Sequence, residues 1–295
     1  MMSHSQHHDH LGHEDQRDRH DHDGEGHAHH DEAGLADLLD LDAVVLGAYL
    51  EKVTAWAGRH APDAPRTIVD VGAGTGTGGL AFARRFATAE VVAVDRSPLM
   101  LGRLQATARE RGLAQRLRVV QADLDVAWPS VGGVDLAWAS SSLHEVADPH
   151  RVLTDLHTAL NPGGLLVVVE MDGPPRFLPD DIGFGRPGLE SRCHEAMAQA
   201  GWNAHPDWRP YLERAGFEIA AEHRFSIEAT PAPPETGRYA HAYLSHIRRG
   251  LDGRLPADDL DALDRLLAQD DPGALLHRGD LTVRGTRTAW AARRP

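Results

Sequence analysis

The segment Ile68-Val69-Asp70-Val71-Gly72-Ala73-Gly74-Thr75-Gly76-Thr77-Gly78-Gly79-Leu80 constrains this chain more than any other. The short β-branched run Thr67–Val71 reads as a buried strand of a parallel sheet. An acid stands at its end, followed by a turn with glycine at every second position. Gly72, Gly74 and Gly76 lack Cβ atoms, so the turn can take positive φ and a ligand can lie against the main chain. Leu80–Phe86 has helical spacing, and the free amides of that helix would face the ligand.

Two cofactor classes fit such a turn. Gly74, Gly76 and Gly79 satisfy the dinucleotide pattern G-x-G-x-x-G. That match begins two residues too far from the strand, because the dinucleotide motif places its first glycine in the tight turn itself. Counted from the strand end, the pattern is Asp70-x-Gly72-x-Gly74-x-Gly76. The rest of the chain arbitrates. Glu90–Val94 is a second apolar strand, closed by Asp95, whose carboxylate can accept both hydroxyls of a ribose. Arg118–Gln121 is a third, followed by Ala122-Asp123-Leu124. Val134–Ala139 is a fourth and leads into Ser140-Ser141-Ser142-Leu143-His144-Glu145-Val146. Leu160-Asn161-Pro162-Gly163-Gly164 then turns into a fifth strand, Leu165–Glu170. Strands alternating with helices imply a parallel sheet covered on both faces. Ligands of such sheets bind outside the strand carboxyl ends, where Asp70, Asp95, Asp123 and Ser140 all fall.

From about Pro65 to Met171 these motifs resemble the class I S-adenosylmethionine-dependent methyltransferases, whose first motif matches Asp70–Gly76. L-x-P-G-G before a strand is typical of the same group. The resemblance implies an α/β fold, a Rossmann-like, doubly wound, mostly parallel seven-stranded sheet with helical cap insertions. It implies S-adenosylmethionine as cofactor, held by Asp70, Gly72, Ala73, Gly74, Thr75, Gly76, Asp95, Arg96, Asp123, Leu124 and Ser140. Asp70 would help to hold the methionine amino end through the turn, Asp95 the ribose, and Asp123 with Leu124 the adenine. The expected reaction is methyl transfer to an O, N or C atom of a small-molecule acceptor. Small-molecule O-methyltransferases carry a general base in a similar leucine-histidine-acid context after the fourth strand, which makes His144 the catalytic candidate. A histidine titrating near neutral pH suits proton removal from an acceptor. The N/D-P-P-Y/F signature of enzymes that methylate exocyclic base amines is absent, since Trp138-Ala139-Ser140-Ser141 stands there.

Composition narrows the partners. A formal charge of −14 argues against a nucleic-acid substrate. No run approaches 18 apolar residues, so no membrane span is expected. The polar start shows no secretory h-region, and the single cysteine, Cys193, excludes an internal disulfide; both favour a cytoplasmic location. Residues 1–32 form a separate piece with ten histidines and nine acids against Arg17 and Arg19. With almost no apolar surface to bury, that tail is expected to be disordered. Its imidazoles could bind transition metals loosely, without one defined site or any metal site in the core.

The domain reading is a 1–32 tail, a helical lid at 33–62 broken near Asp42, a cofactor-binding core at 63–172, and 173–295 returning to the sheet. Strands near 217–227 and 281–291 would flank two stacked helices, Arg238–Arg249 and Ala257–Leu267, that cap the site. Arg192, His194, Trp202, Trp208, Tyr211, Tyr239, Tyr243 and His246 in that region are candidates to line an acceptor pocket. Two other readings stand beside the enzyme: a histidine-rich metal-handling protein on a cofactor-sensing scaffold, and an NAD(P)-dependent oxidoreductase.

Overall fold

The computed structural model describes residues 18–202, 206–229 and 231–295. In chain order the elements are α1 (Asp18–Val45), α2 (Gly47–His60), β1 (Thr67–Val71), α3 (Thr77–Arg85), β2 (Glu90–Asp95), α4 (Pro98–Glu110), β3 (Leu117–Gln121) and β4 (Val134–Ser140). They continue with α5 (Pro149–Ala159), β5 (Leu160–Met171), α6 (Leu189–Gln199), α7 (Arg209–Arg214), β6 (Glu218–Ala229), α8 (Thr236–Arg248), α9 (Ala257–Leu267) and β7 (Val283–Arg293).

The seven strands form one sheet in the order β3-β2-β1-β4-β5-β7-β6. The first five are mutually parallel, and β7 runs antiparallel to both β5 and β6. This is the expected α/β architecture, and strand order reverses between β1 and β4, which opens a crevice at their carboxyl ends. The apolar runs in β1, β2, β4 and β5 follow from burial on both faces. On one face Ile68, Val91, Ala93, Leu136, Leu165 and Val167 pack with α2, α3, α4 and the cap helices. On the other, Val69, Val92, Ala137, Leu166 and Val168 pack with α5 and α7. Each fully buried side chain of this size, such as Phe82 or Leu104, contributes roughly 1.5–3 kcal/mol. Helix starts follow local chemistry. Pro98 and Pro149 occupy first turns, and the side chains of Ser97 and Asp148 accept from the amides of Met100 and Arg151.

The far edge of the sheet, at the amino ends of β1, β4 and β5, is laced together. Asp135 accepts from the amides of Arg66 and Thr67 at 2.8 and 3.1 Å and from Asn161 Nδ2 at 2.8 Å. Arg293 donates to the carbonyls of Gly163 and His60 at 2.7 and 2.8 Å.

Three expectations change. Residues 1–17 lie outside the described residues, but from Asp18 the chain expected to be disordered is helical and runs unbroken into the lid. Once the apolar half of α1 is docked, each added residue gains a hydrogen bond without a new nucleation cost. The break in the lid falls at Leu46, between α1 and α2, rather than near Asp42. Asp42 is instead an interior helical residue with partners of its own. Third, Trp208 and Tyr211 are not cap residues, because α7 packs on the opposite face against α5. The two cap helices do lie between the last strands, as α8 and α9. The Pro/Gly-rich stretch 173–188 is fixed rather than loose, since Glu190 accepts the amide of Phe177 at 2.7 Å and Arg176 bridges to Arg284. Burial pushes the Glu190 carboxyl up to about 7.

Candidate functional site

The turn after β1 is built from backbone. Gly72, Gly74 and Gly76 have φ of +64°, +52° and +85°. A Cβ on Gly72 would stand 2.6 Å from the Ser142 Cβ, and one on Gly76 would stand 1.8 Å from Leu104 Cδ1. Glycine is therefore required by both conformation and space. The turn is clamped from β2: Ala73 N–H donates to the Val94 carbonyl at 2.9 Å and Gly74 N–H to Asp95 Oδ2 at 2.8 Å. Asp95 Oδ1 accepts the amide of Ser97 at 2.9 Å. Half-buried at the rim, the Asp95 carboxylate retains lone pairs beyond those two bonds.

Asp70 is buried beneath the turn and accepts the Gly79 amide at 2.7 Å. Burial pushes its carboxyl up to about 7; the Gly79 bond pulls down and the charge of Asp95 pushes further up. Thr75 is buried, while Arg96 is exposed. Asp123 is exposed and caps its own turn through the Asp125 amide at 2.9 Å, and the Leu124 carbonyl is held by Arg151. Ser140 is half-buried at the end of β4. Asp70, Asp95, Asp123 and Ser140 thus stand along one rim, with the glycine turn between the first two.

After β4 the chain bends sharply. Ser141 takes φ +52°, which is strained for a non-glycine residue. The bend is held by Ser141 N–H to the Val169 carbonyl at 2.8 Å and by Ser142 Oγ to the Val71 carbonyl at 2.7 Å. It delivers His144 between two acids. Nδ1 lies 2.8 Å from Glu170 Oε2, and Nε2 lies 3.1 Å from Glu145 Oε1. Burial alone would push this imidazole down, but the hydrogen bonds and charges of Glu145 and Glu170 outweigh it and raise its pKa to about 10. In this arrangement His144 is a cation at neutral pH, donating from both nitrogens. A general base needs a free lone pair, so the role expected for His144 does not match this geometry. Glu170 is nearly fully buried and also accepts the Leu143 amide at 3.2 Å. It is a fourth strand-end acid, visible in the same pattern as Asp70, Asp95 and Asp123.

Helix α1 closes the mouth. Leu39 Cδ1 comes within 3.0 Å of where a Gly74 Cβ would lie. Arg103 on α4 pairs with Asp37 and Asp40 at 2.6 and 3.1 Å. Asp42 accepts from the Tyr239 hydroxyl at 2.8 Å and from Arg287 Nη2 at 2.6 Å. Among the cap candidates, Arg192 is committed to Asp259 at 2.8 Å and ties α6 to α9. Tyr239, Tyr243 and His194 are buried, and Trp202 is exposed. Burial pushes Cys193 up to about 12, an inert thiol. No group of three or more His, Cys, Asp or Glu among the described residues is placed to hold a metal ion. Five of the ten tail histidines, His4, His7, His8, His10 and His13, lie outside the described residues. No helix among the described residues is long and apolar enough to cross a membrane.

Comparison with known proteins agrees with this geometry. The methyltransferase domain family matches residues 68–164. The demethylmenaquinone methyltransferase of Thermus thermophilus is 37% identical over 114 residues, 38% of this chain and 50% of that protein. A trans-aconitate 2-methyltransferase of Variovorax paradoxus is 37% identical over 107 residues, 36% of this chain and 39% of the relative. The chain thus spans about half or less of the length of these two relatives. Among solved structures, coclaurine N-methyltransferase bound to N-methylheliamine and S-adenosylhomocysteine covers 83% of this chain and 72% of its own, with a TM-score of 0.50 at 15% identity. That likeness is one of fold. Residues 68–164 are a methyltransferase domain of the class I, S-adenosylmethionine-dependent kind. The residues present fit that cofactor: a bare turn, a strand-end carboxylate with lone pairs to spare, and a helix start with its positive dipole end at the crevice.

Proposed function

We propose that the whole chain is an S-adenosylmethionine-dependent methyltransferase that acts on a small-molecule acceptor at O, N or C. The observation that carries this reading is the Asp70–Asp95 rim, where two carboxylates bracket a turn that only glycine can make. In this reading Asp95 takes the ribose hydroxyls, Asp123 and the Leu124 amide the adenine, and Gly72–Gly76 the methionine end. Asp70 acts through the turn, by fixing the start of α3, rather than by touching the ligand. Arg96 and Ser140 flank the same cleft. Bound there, the cofactor would supply an electrophilic methyl group on a sulfonium.

The chain's own part is to hold donor and acceptor in line and exclude water, and such positioning can supply much of the rate. Helix α1 and the Leu143–Glu145 bend provide the cover. His144 serves as a positioning cation that pins this bend to Glu170. Relatives named for trans-aconitate and for the malonyl-acyl carrier protein support an acceptor other than nucleic acid. The dinucleotide reading is disfavoured because its first glycine, Gly74, stands two residues beyond Gly72, which already makes the left-handed turn at the strand end. Calorimetry with S-adenosylhomocysteine and with NADH separates the two: heat is expected with the first only. Incubation of candidate acceptors with a labelled methyl donor, read by mass, then identifies the atom modified; heat with NADH alone would reject the proposal.

A further inference from the structure

Arg287 is the most unusual charge in this molecule. It lies on β7 opposite Met171, at the carboxyl rim of β5, on the sheet face that also carries Asp70 and Asp95. Three strand spacings separate β7 from β1, about 14 Å. That places it across the crevice from the glycine turn, where an acceptor would extend. Its side chain is 11% exposed. Arg287 makes one ion pair, Nη2 to Asp42 Oδ1 at 2.6 Å, and its guanidinium lies 5.1 Å over the Tyr49 ring. A guanidinium carries five donors in a fork that fits a carboxylate through two parallel bonds. The single bond to Asp42 uses little of that capacity.

Its partner comes from the lid. Asp42 sits one turn before Leu46, where α1 breaks from α2. A narrow crevice of about 10 Å³, lined by Leu46, Met171, Thr286 and Arg287 among others, reaches the guanidinium at that break. The Tyr49 ring closes the other side of the guanidinium, and the Tyr239 hydroxyl shares Asp42 with it.

We infer that Arg287 anchors a carboxylate of the acceptor, and that Asp42 occupies that position when the lid is closed and empty. The acceptor class is an organic acid whose apolar body lies toward Leu46 and Met171. This rests on the methyltransferase reading and names its substrate class. Swinging α1 about Leu46 withdraws Asp42 and leaves a buried arginine unpaired, a state that an incoming carboxylate relieves. Lid opening and acceptor capture are thereby one exchange of anions.

The test uses the full chain saturated with S-adenosylhomocysteine, titrated with benzoate and with benzamide. Asp42→Asn removes the internal competitor and should tighten benzoate about tenfold over the unmodified protein, leaving benzamide unchanged. The double variant Asp42→Asn, Arg287→Met removes both charges, leaves no lone buried ion, and should lose the preference for acid over amide. Retained heat with S-adenosylhomocysteine shows that each variant is folded. An Asp42→Asn protein that binds benzoate no better than benzamide, or binding that survives loss of Arg287, overturns the assignment. Absence of heat with S-adenosylhomocysteine in the unmodified protein sinks the methyltransferase reading instead, and the benzoate result is then judged by itself.

Discussion

The two sides of the crevice are made of different materials. On the β1–β2 side the wall is backbone: three left-handed glycines, amides tied to Asp70 and Asp95, and a helix start, all within Asp70–Ser97. On the β5–β7 side it is long side chains from distant segments, with Asp42 meeting Arg287 across 245 positions of sequence. The first is rigid before any ligand arrives. The second is closed by an ion pair that must exchange. A site that binds one invariant cofactor tolerates a fixed cradle, whereas a site that admits and releases an acceptor needs a replaceable contact.

The contrast can be broken at several strengths. The largest effect is expected at Gly76. Alanine there combines positive φ with a Cβ 1.8 Å from Leu104, so Gly76→Ala should cost about 2–4 kcal/mol in urea unfolding and abolish detectable S-adenosylhomocysteine heat. A variant of normal stability and affinity would show that the cradle is not rigid. Next is Asp95→Ala, which should weaken S-adenosylmethionine roughly 10- to 100-fold by calorimetry, since it removes a charged acceptor of two hydroxyls and frees Gly74. Unchanged affinity removes the ribose assignment.

His144 offers a pH test of intermediate size. Its pKa is raised on folding, so its stabilising contribution is complete below about pH 6.5 and fades as pH climbs through about 10. His144→Gln should therefore destabilise the protein by about 1–2 kcal/mol at pH 6 and by much less at pH 10.5. Equal losses at both values would mean that the two acids do not hold a cation. The smallest effect is expected from Asp37→Asn with Asp40→Asn. These pairs with Arg103 are largely exposed, and removing them should change stability by no more than about 1 kcal/mol, an effect lost in high salt. A large loss would show that α1 is held by surface charge rather than by Leu39 and Asp42.

The same contrast explains what the sequence disclosed. The cradle is local: strand, acid, glycine spacing and helix start follow one another, and their chemistry can be read in order. The rim acids Asp95 and Asp123 follow from the same alternation. Glu170 obeys that rule too and was available to it. Arg287 and Asp42 were not, because nothing near either residue announces the other, and a helical lid reads as any amphipathic helix. The role expected of His144 depended on its nearest neighbours in space. Glu145 adjoins it in sequence, but Glu170 arrives from the next strand, and together they raise the imidazole pKa against the effect of burial. Trp208 and Tyr211 went astray because a helix pattern does not say which sheet face it covers.

The lacing by Asp135 and Arg293 sets where this molecule can breathe. Bonds from Arg66 and Asn161 to Asp135, and from Arg293 to the carbonyls of Gly163 and His60, all gather at the end away from the crevice. Opening at the crevice is then left to the α1 lid and the β5–β7 side, as the leaves of a book part only away from the spine. Hydrogen exchange should follow that gradient, slow along the bound edge and faster toward the strand tips, so that ligands enter without loosening the sheet that holds them.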